Sequence, residues 1–204
     1  MLITLKNKKA LITTNFIFFN VIYLICIYFH IGEIRLLPTL ELEKSIPFVP
    51  QALWLYISIQ SFSYYIVVNS IDTLFIQRWF VSSLLFTLFC TALYQIFPTT
   101  INYENTFVLM SKGYTHSLLF HFRDISTGLN SFPSLFIGIL TISTFLNLLH
   151  RSPKAFVYIC LIPLFILSGL LIKQIYLSGA IASVLLGVIF SLLTYKFIHS
   201  ESLL

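Results

Sequence analysis

The sequence predicts an all-α, polytopic membrane protein with about six transmembrane helices in one bundle. Three observations carry this. First, 58% of the 204 residues are hydrophobic and only 9% are charged. Soluble domains carry about 25% charge, so this chain has too few ionisable groups to cover a water-facing surface. Second, charged residues divide the chain into six apolar runs, each close to the roughly 20 residues that a helix needs to cross a bilayer. Third, these runs are continuously apolar. A membrane barrel needs shorter segments that alternate polar and apolar residues, so helices are preferred. The whole chain, 1–204, reads as a single membrane domain.

The first run, 10–31, follows the basic cluster Lys6, Lys8 and Lys9. A basic start before an apolar stretch imitates a secretory signal. No small-residue cleavage site follows, and the run is long enough to span, so a retained helix is expected. The connection 32–50 holds Pro38, Pro47 and Pro50 with Glu33, Glu41 and Glu43. The second and third runs are 51–71 and 79–97, with a short joint around Arg78. The longest and most polar connection is 98–132. Its stretch 107–122 has the aromatics and the Lys112 that suit a helix lying in the membrane interface. The last three runs are 133–149, 155–172 and 177–198, joined around Arg151 to Lys154 and around Lys173 to Tyr176.

The formal net charge is +5, and the basic residues sit at loop ends. That pattern reports topology, and no nucleic-acid partner is expected. With the N-terminus inside, the inner side collects Lys6, Lys8, Lys9, Arg78, Arg151, Lys154 and Lys196. The outer side collects Arg35, Lys44, Lys112, Arg123 and Lys173, so the inner side leads by seven to five. Both termini are therefore expected to be cytoplasmic. Cys26, Cys90 and Cys160 lie inside apolar runs at wide spacing. They read as small buried hydrophobes, not as a disulfide framework or a zinc site.

Two stretches carry a chemical pattern. One is Asn130-Ser131-Phe132-Pro133-Ser134-Leu135-Phe136. The other runs from Ser168-Gly169 through Lys173-Gln174-Ile175 to Ser178-Gly179. Both resemble motifs of the type 2 phosphatidic acid phosphatase superfamily, in which a Pro-Ser-x-His tetrad precedes one membrane helix and a Ser-x6-His-x3-Asp stretch precedes another. Ile46-Pro47-Phe48-Val49-Pro50 with Trp54 and Tyr56, and Phe97-Pro98-Thr99, resemble helix ends of its inositol-phosphorylceramide-synthase-like (inositolphosphotransferase) branch. The resemblance covers about 46–197.

In that chemistry a neutral imidazole attacks phosphorus, an Asp orients it, a second His protonates the leaving alkoxide, and cations neutralise phosphate oxygens. The resemblance places the nucleophile at Ile175, its Asp at Gly179 and the acid at Phe136. None of these residues can perform those roles. The branch's Arg-Pro pair has no counterpart either, because Thr100 to Ser111 contains no Arg or Lys, and Gly169 stands at another candidate cation position. The resemblance thus implies a catalytically degenerate relative of lipid phosphatases, expected to bind a lipid phosphate head group or a membrane partner without hydrolysing it.

Head-group candidates are Arg123, Ser134, Ser168 and Lys173. Each has an ordinary reading beside it: a solvated loop residue for Arg123, helix caps or packing for the serines, snorkelling for Lys173. His116 and His121 are five apart, on different helix faces, and no metal or cofactor is expected. Gly179, Ser183, Gly187 and Ser191 recur every four residues, a stripe that lets another helix approach closely. The stripe serves packing within the chain or against a second copy or other membrane protein. Two rival readings remain. One is an active phosphotransferase or phosphatase that uses displaced residues such as His116, His121 or Arg123. The other is a small transporter or membrane assembly factor, which calls for ionisable residues deep inside spans. The deepest polar residues are Asn20, Gln60, Asn69 and Asn147, none ionisable.

Overall fold

The computed structural model describes residues 5–29, 31–70, 72–101, 114–115, 117–119, 121 and 131–198. Among these, six helices of 15 to 24 residues form the body: α1 (Leu5–Tyr28), α3 (Leu53–Val68), α4 (Thr73–Ile96), α5 (Leu135–Leu149), α6 (Ala155–Leu171) and α7 (Leu177–Phe197). A short helix, α2 (Glu41–Ser45), and a 3-10 turn at Pro50–Ala52 precede α3. Two-residue strands, β1 (Arg35–Leu36) and β2 (Thr99–Thr100), pair in parallel. The chain is thus mainly helical, as its apolar runs predict. Tyr114, Thr115, Ser117–Leu119 and His121 are helical; the rest of the expected interface helix lies outside the described residues, as do His116 and Arg123.

Three segments are long and apolar enough to cross a membrane: Lys8–Tyr28, Thr73–Ile96 and Leu177–Phe197. Leu135–Leu149 and Ala155–Leu171 are apolar but shorter. Helix α5, at 15 residues, rises about 22 Å against a hydrocarbon thickness of about 30 Å. Expected spans of about 20 residues thus fall short in α3, α5 and α6. The reason is local: Pro50–Ala52 is a 3-10 start, Ser131 to Ser134 is a loop, and the joint after Leu171 uncoils.

Helix α5 is the hub, packing on α3, α4, α6 and α7. Its side chains are buried nearly all round, which is the pattern of a helix enclosed by others. In α1, burial at Ile12, Asn15, Phe19 and Cys26 follows helical spacing and faces α4. The outward faces are apolar too: Phe16, Ile17 and Val21 on α1, and Leu185, Ile189 and Leu192 on α7, are exposed. Surfaces of that kind suit hydrocarbon or a partner better than water.

The small-residue stripe is used within the chain. Gly179, Ser183, Gly187 and Ser191 are all buried where α7 packs on α5. A Cβ at Gly187 would lie 2.9 Å from Thr141 Cβ and 3.0 Å from the Gly138 carbonyl oxygen, so only hydrogen fits. Ser183 and Ser191 return their hydroxyls to the carbonyls of Gly179 and Gly187, at 2.5 and 2.7 Å. Their polarity is thereby satisfied inside the helix.

Hydrogen bonds between helix ends fix the direction of each helix. At one end, Lys8 at the start of α1 donates to the carbonyls of Val68 and Ser70 after α3, at 3.0 Å for Val68. At the same end Asp72, before α4, meets His150, after α5. At the other end, Gln95 of α4 donates to the Phe29 carbonyl after α1 at 2.8 Å, Val49 before α3 donates to Leu171 ending α6, and Ser134 before α5 donates to Gly179 of α7. Helix direction therefore alternates along the chain.

Candidate functional site

The loop before α5 is anchored from three sides. Tyr94, fully buried near the end of α4, donates its hydroxyl to the Pro133 carbonyl. Thr99 of β2 accepts the Phe132 N–H at 3.2 Å. The Ser134 N–H donates to the Gly179 carbonyl at 3.4 Å. These contacts set the first turn of α5 against the first turn of α7. The Phe132–Pro133 peptide is cis.

The second motif begins where α6 stops. Ile172, Lys173 and Gln174 donate backward to the carbonyls of Ser168, Leu170 and Gly169 at 3.2, 3.0 and 2.9 Å. Lys173 sits at a φ of 55°, the left-handed conformation that usually ends a helix with glycine. The lysine is held there by its own side chain. Its Nζ donates to the carbonyls of Glu43 and Ile46 at 2.8 and 2.7 Å. The buried Glu43 carboxylate accepts from Leu40 N–H at 2.8 Å and from Leu177 N–H. Helix α2 is thus strapped across the joint between α6 and α7. Burial pushes the Lys173 ammonium below its ordinary 10.5, and the Glu43 charge opposes that shift.

Phe136 and Ile175 are brought together. Both line one cavity of about 10 Å³, with Tyr23, Tyr56, Ser131, Ser134, Leu135 and Gln174 around it. That volume admits about one water-sized occupant. The Phe136 ring is caged by Phe19, Tyr23 and Tyr56, with centroids at 5.6, 5.2 and 6.2 Å. Ile175 is buried and fills the space beside Gly169, where a Cβ would lie 2.7 Å from Ile175 Cδ1. Gly179 stands where a Cβ would press on the Ser131 carbonyl oxygen. Phe136 and Ile175 therefore put apolar bulk beside a small cavity that hydroxyl and amide groups also line.

The other candidates are placed as follows. Ser134 is the buried N-cap of α5, and its hydroxyl makes no capping bond. Ser168 donates its hydroxyl to the Phe165 carbonyl at 2.7 Å, within α6. Arg123 lies outside the described residues, and His121 is helical and exposed. Ser131 Oγ is buried at the cavity and has no hydrogen-bond partner among the described residues. Such an atom carries a desolvation cost that a small hydrogen-bonding occupant would relieve.

Sequence reading gave no role to Tyr23, Tyr94, Ser131 or Glu43. Nothing in the sequence sets Glu43 apart from Glu33 and Glu41, and Tyr23 is one aromatic among many. Among the described residues, the cavity lining offers hydroxyl and amide groups. These can hydrogen-bond a small polar group. Among the described residues, no group of three or more His, Cys, Asp or Glu side chains is placed to hold a metal ion. In comparisons with known proteins, no family model, no curated protein and no solved structure matches this chain.

Proposed function

We propose that this chain is a six-span integral membrane protein, built on a frame like that of the type 2 phosphatidic acid phosphatases, that engages lipid phosphate head groups without hydrolysing them. The observation that carries the reading is the convergence of Phe136, Ile175 and Gly179 on one small site, at the shared end of α5 and α7. Two segments about forty residues apart meet where the motif spacing calls for a reaction centre. Apolar bulk occupies it. Groups that act as a unit in catalysis leave little but binding when all are replaced.

Lys173 is the head-group contact in this reading. An ammonium has three donors. The Glu43 and Ile46 carbonyls take two of them, and a phosphate oxygen would take the third. Alternating helix direction supports six crossings with both termini on one side, and the seven-to-five excess of basic residues makes that side cytoplasmic in this reading. The decisive experiment uses purified protein in nanodiscs with fluorescent phosphatidic acid. The expected outcome is retention of phosphatidic acid over phosphatidylcholine, weakened by Lys173→Met, with phosphate release no faster than in protein-free discs. Turnover that Ser134→Ala or Ser168→Ala abolishes would overturn the reading. For topology, labelling of single cysteines at positions 9 and 115 from the same side would end the six-span arrangement.

A further inference from the structure

At the opposite end of α5, three ionisable side chains from two helices meet beside the end of a third. His150 caps the C-terminus of α5, and its Nδ1 lies 2.6 Å from Asp72 Oδ2 before α4. Its Nε2 lies 3.0 Å from Arg78 Nη1. Arg78 is buried and donates Nε and Nη2 to the Ile198 carbonyl after α7, at 3.0 and 2.8 Å. Its guanidinium also covers the Tyr195 ring at 4.2 Å. The rings of Phe75 and Tyr195 stand edge-on to His150. One imidazole therefore joins the start of α4, the end of α5 and the end of α7.

The hydrogen-bond roles in this cluster are fixed by chemistry. A guanidinium only donates and keeps its proton. His150 Nε2 must therefore accept from Arg78, and Nδ1–H must donate to Asp72. His150 is neutral in this arrangement. A proton added at Nε2 would set two donors and two positive charges face to face across 3.0 Å. The Asp72 contact would meanwhile become an ion pair and tighten. The Arg78–His150 contact is the one that must yield.

We infer that His150 is a proton-binding site coupled to the end of α7, so that acidification detaches Arg78 from α5 and loosens the last turn of α7. The charged and titratable groups around it are Asp72 and Arg78 at the start of α4, and Tyr195 and the exposed Lys196 of α7. The exposed Arg151 and Lys154 of the following turn, and Lys8 of α1 bound at the end of α3, complete the set. Asp72 favours the proton; the cations oppose it. Because coupling is reciprocal, whatever holds the end of α7 in place also resists protonation of His150.

The test uses the full chain in nanodiscs, with two readouts. Nitrogen NMR of labelled histidine should show His150 as the neutral Nδ1–H tautomer at pH 8 and as imidazolium at pH 5, its signals assigned by their loss in His150→Gln. Hydrogen exchange of the segment 190–198, corrected for intrinsic rates, should show protection falling about tenfold at pH 5, within the usual range of coupling between two sites. His150→Gln should remove that pH dependence. If that variant does not fold, Arg78→Met serves: protection should be low at both pH values while His150 still titrates. An Nε2–H tautomer at pH 8, unchanged protection in the parent chain, or an equal pH response in His150→Gln would overturn the inference.

Discussion

The two ends of α5 hold related chemistry in opposite states. At its start, Phe136 and Ile175 line a small cavity together with hydroxyl and amide groups. At its finish, about 22 Å away by helix rise, His150 keeps a carboxylate on Nδ1 in the manner of a catalytic pair. Yet Arg78 covers the nitrogen that would act. The first end has an apolar pair beside a small polar cavity. The second has reactive groups tied into a helix junction. Geometry of the partner groups, and not the presence of histidine, decides which chemistry is open to each end.

The comparison breaks most visibly if the first end accepts charge. Gly179→Asp would push a carboxylate against the Ser131 carbonyl oxygen, inside the α5–α7 contact. A buried charge without a partner costs about 3–5 kcal/mol, so the variant should lose that much stability in a denaturant titration in mild detergent. A fully stable Gly179→Asp would show that this end retains a cation-lined site. Gly187→Ala, lower on the same stripe, should cost about 1–3 kcal/mol by overpacking against Thr141 and the Gly138 backbone.

At the second end, Arg78→Met removes the guanidinium and keeps much of its bulk. The Ile198 carbonyl loses two charged donors and Tyr195 loses its cation. Hydrogen bonds to charged groups are worth about 1.5–3 kcal/mol, so a loss of about 2 kcal/mol is expected in the same titration. Exchange should increase first at the end of α7. An equal increase at the start of α5 would mean that the two ends are not energetically separate.

How much of this was legible follows from range. The helices could be read because continuous apolar runs and charged joints are local signals: after Val68, the helix ends fall close to the expected breaks except the start of α4, which begins at Thr73 and so takes Arg78 into the helix. The meeting of Phe136 with Ile175 was legible only through the spacing of two motifs. The strap of Glu43 on Leu177 and the junction of Asp72 with His150 were not legible. Their partners are 134 and 78 residues apart, and no alternation or spacing encodes which loop acid meets which helix end. The stripe on α7 announced a close helix contact, but only the fold identifies α5 as its partner.

Lys173 gives a pH test that sharpens the first end. Its ammonium is partly desolvated, so the folded chain releases that proton at a lower pH than the unfolded chain, whose value lies near 10.5. Between those two values the unfolded state binds more protons, and stability rises with pH. The parent chain should therefore gain stability relative to Lys173→Met as pH climbs toward 10.5. A flat difference between the two would mean that the lysine is solvated and the strap from Glu43 is loose.

The smallest effect compares the two helix caps. Asp72 caps α4 by accepting the Leu74 N–H at 2.9 Å, and it also holds His150. Ser134 occupies the equivalent position before α5, yet its hydroxyl makes no capping bond, and its own N–H is spent on the Gly179 carbonyl. Replacing a working cap by Ala costs about 1 kcal/mol. Asp72→Ala should reach or exceed that value in a denaturant titration, because the His150 contact is lost as well. Ser134→Ala should cost less than about 0.5 kcal/mol, since no cap is lost. A cost near that of Asp72→Ala would assign the Ser134 hydroxyl a partner in the cavity, and the first end would then hold a polar occupant strong enough to stabilise the fold.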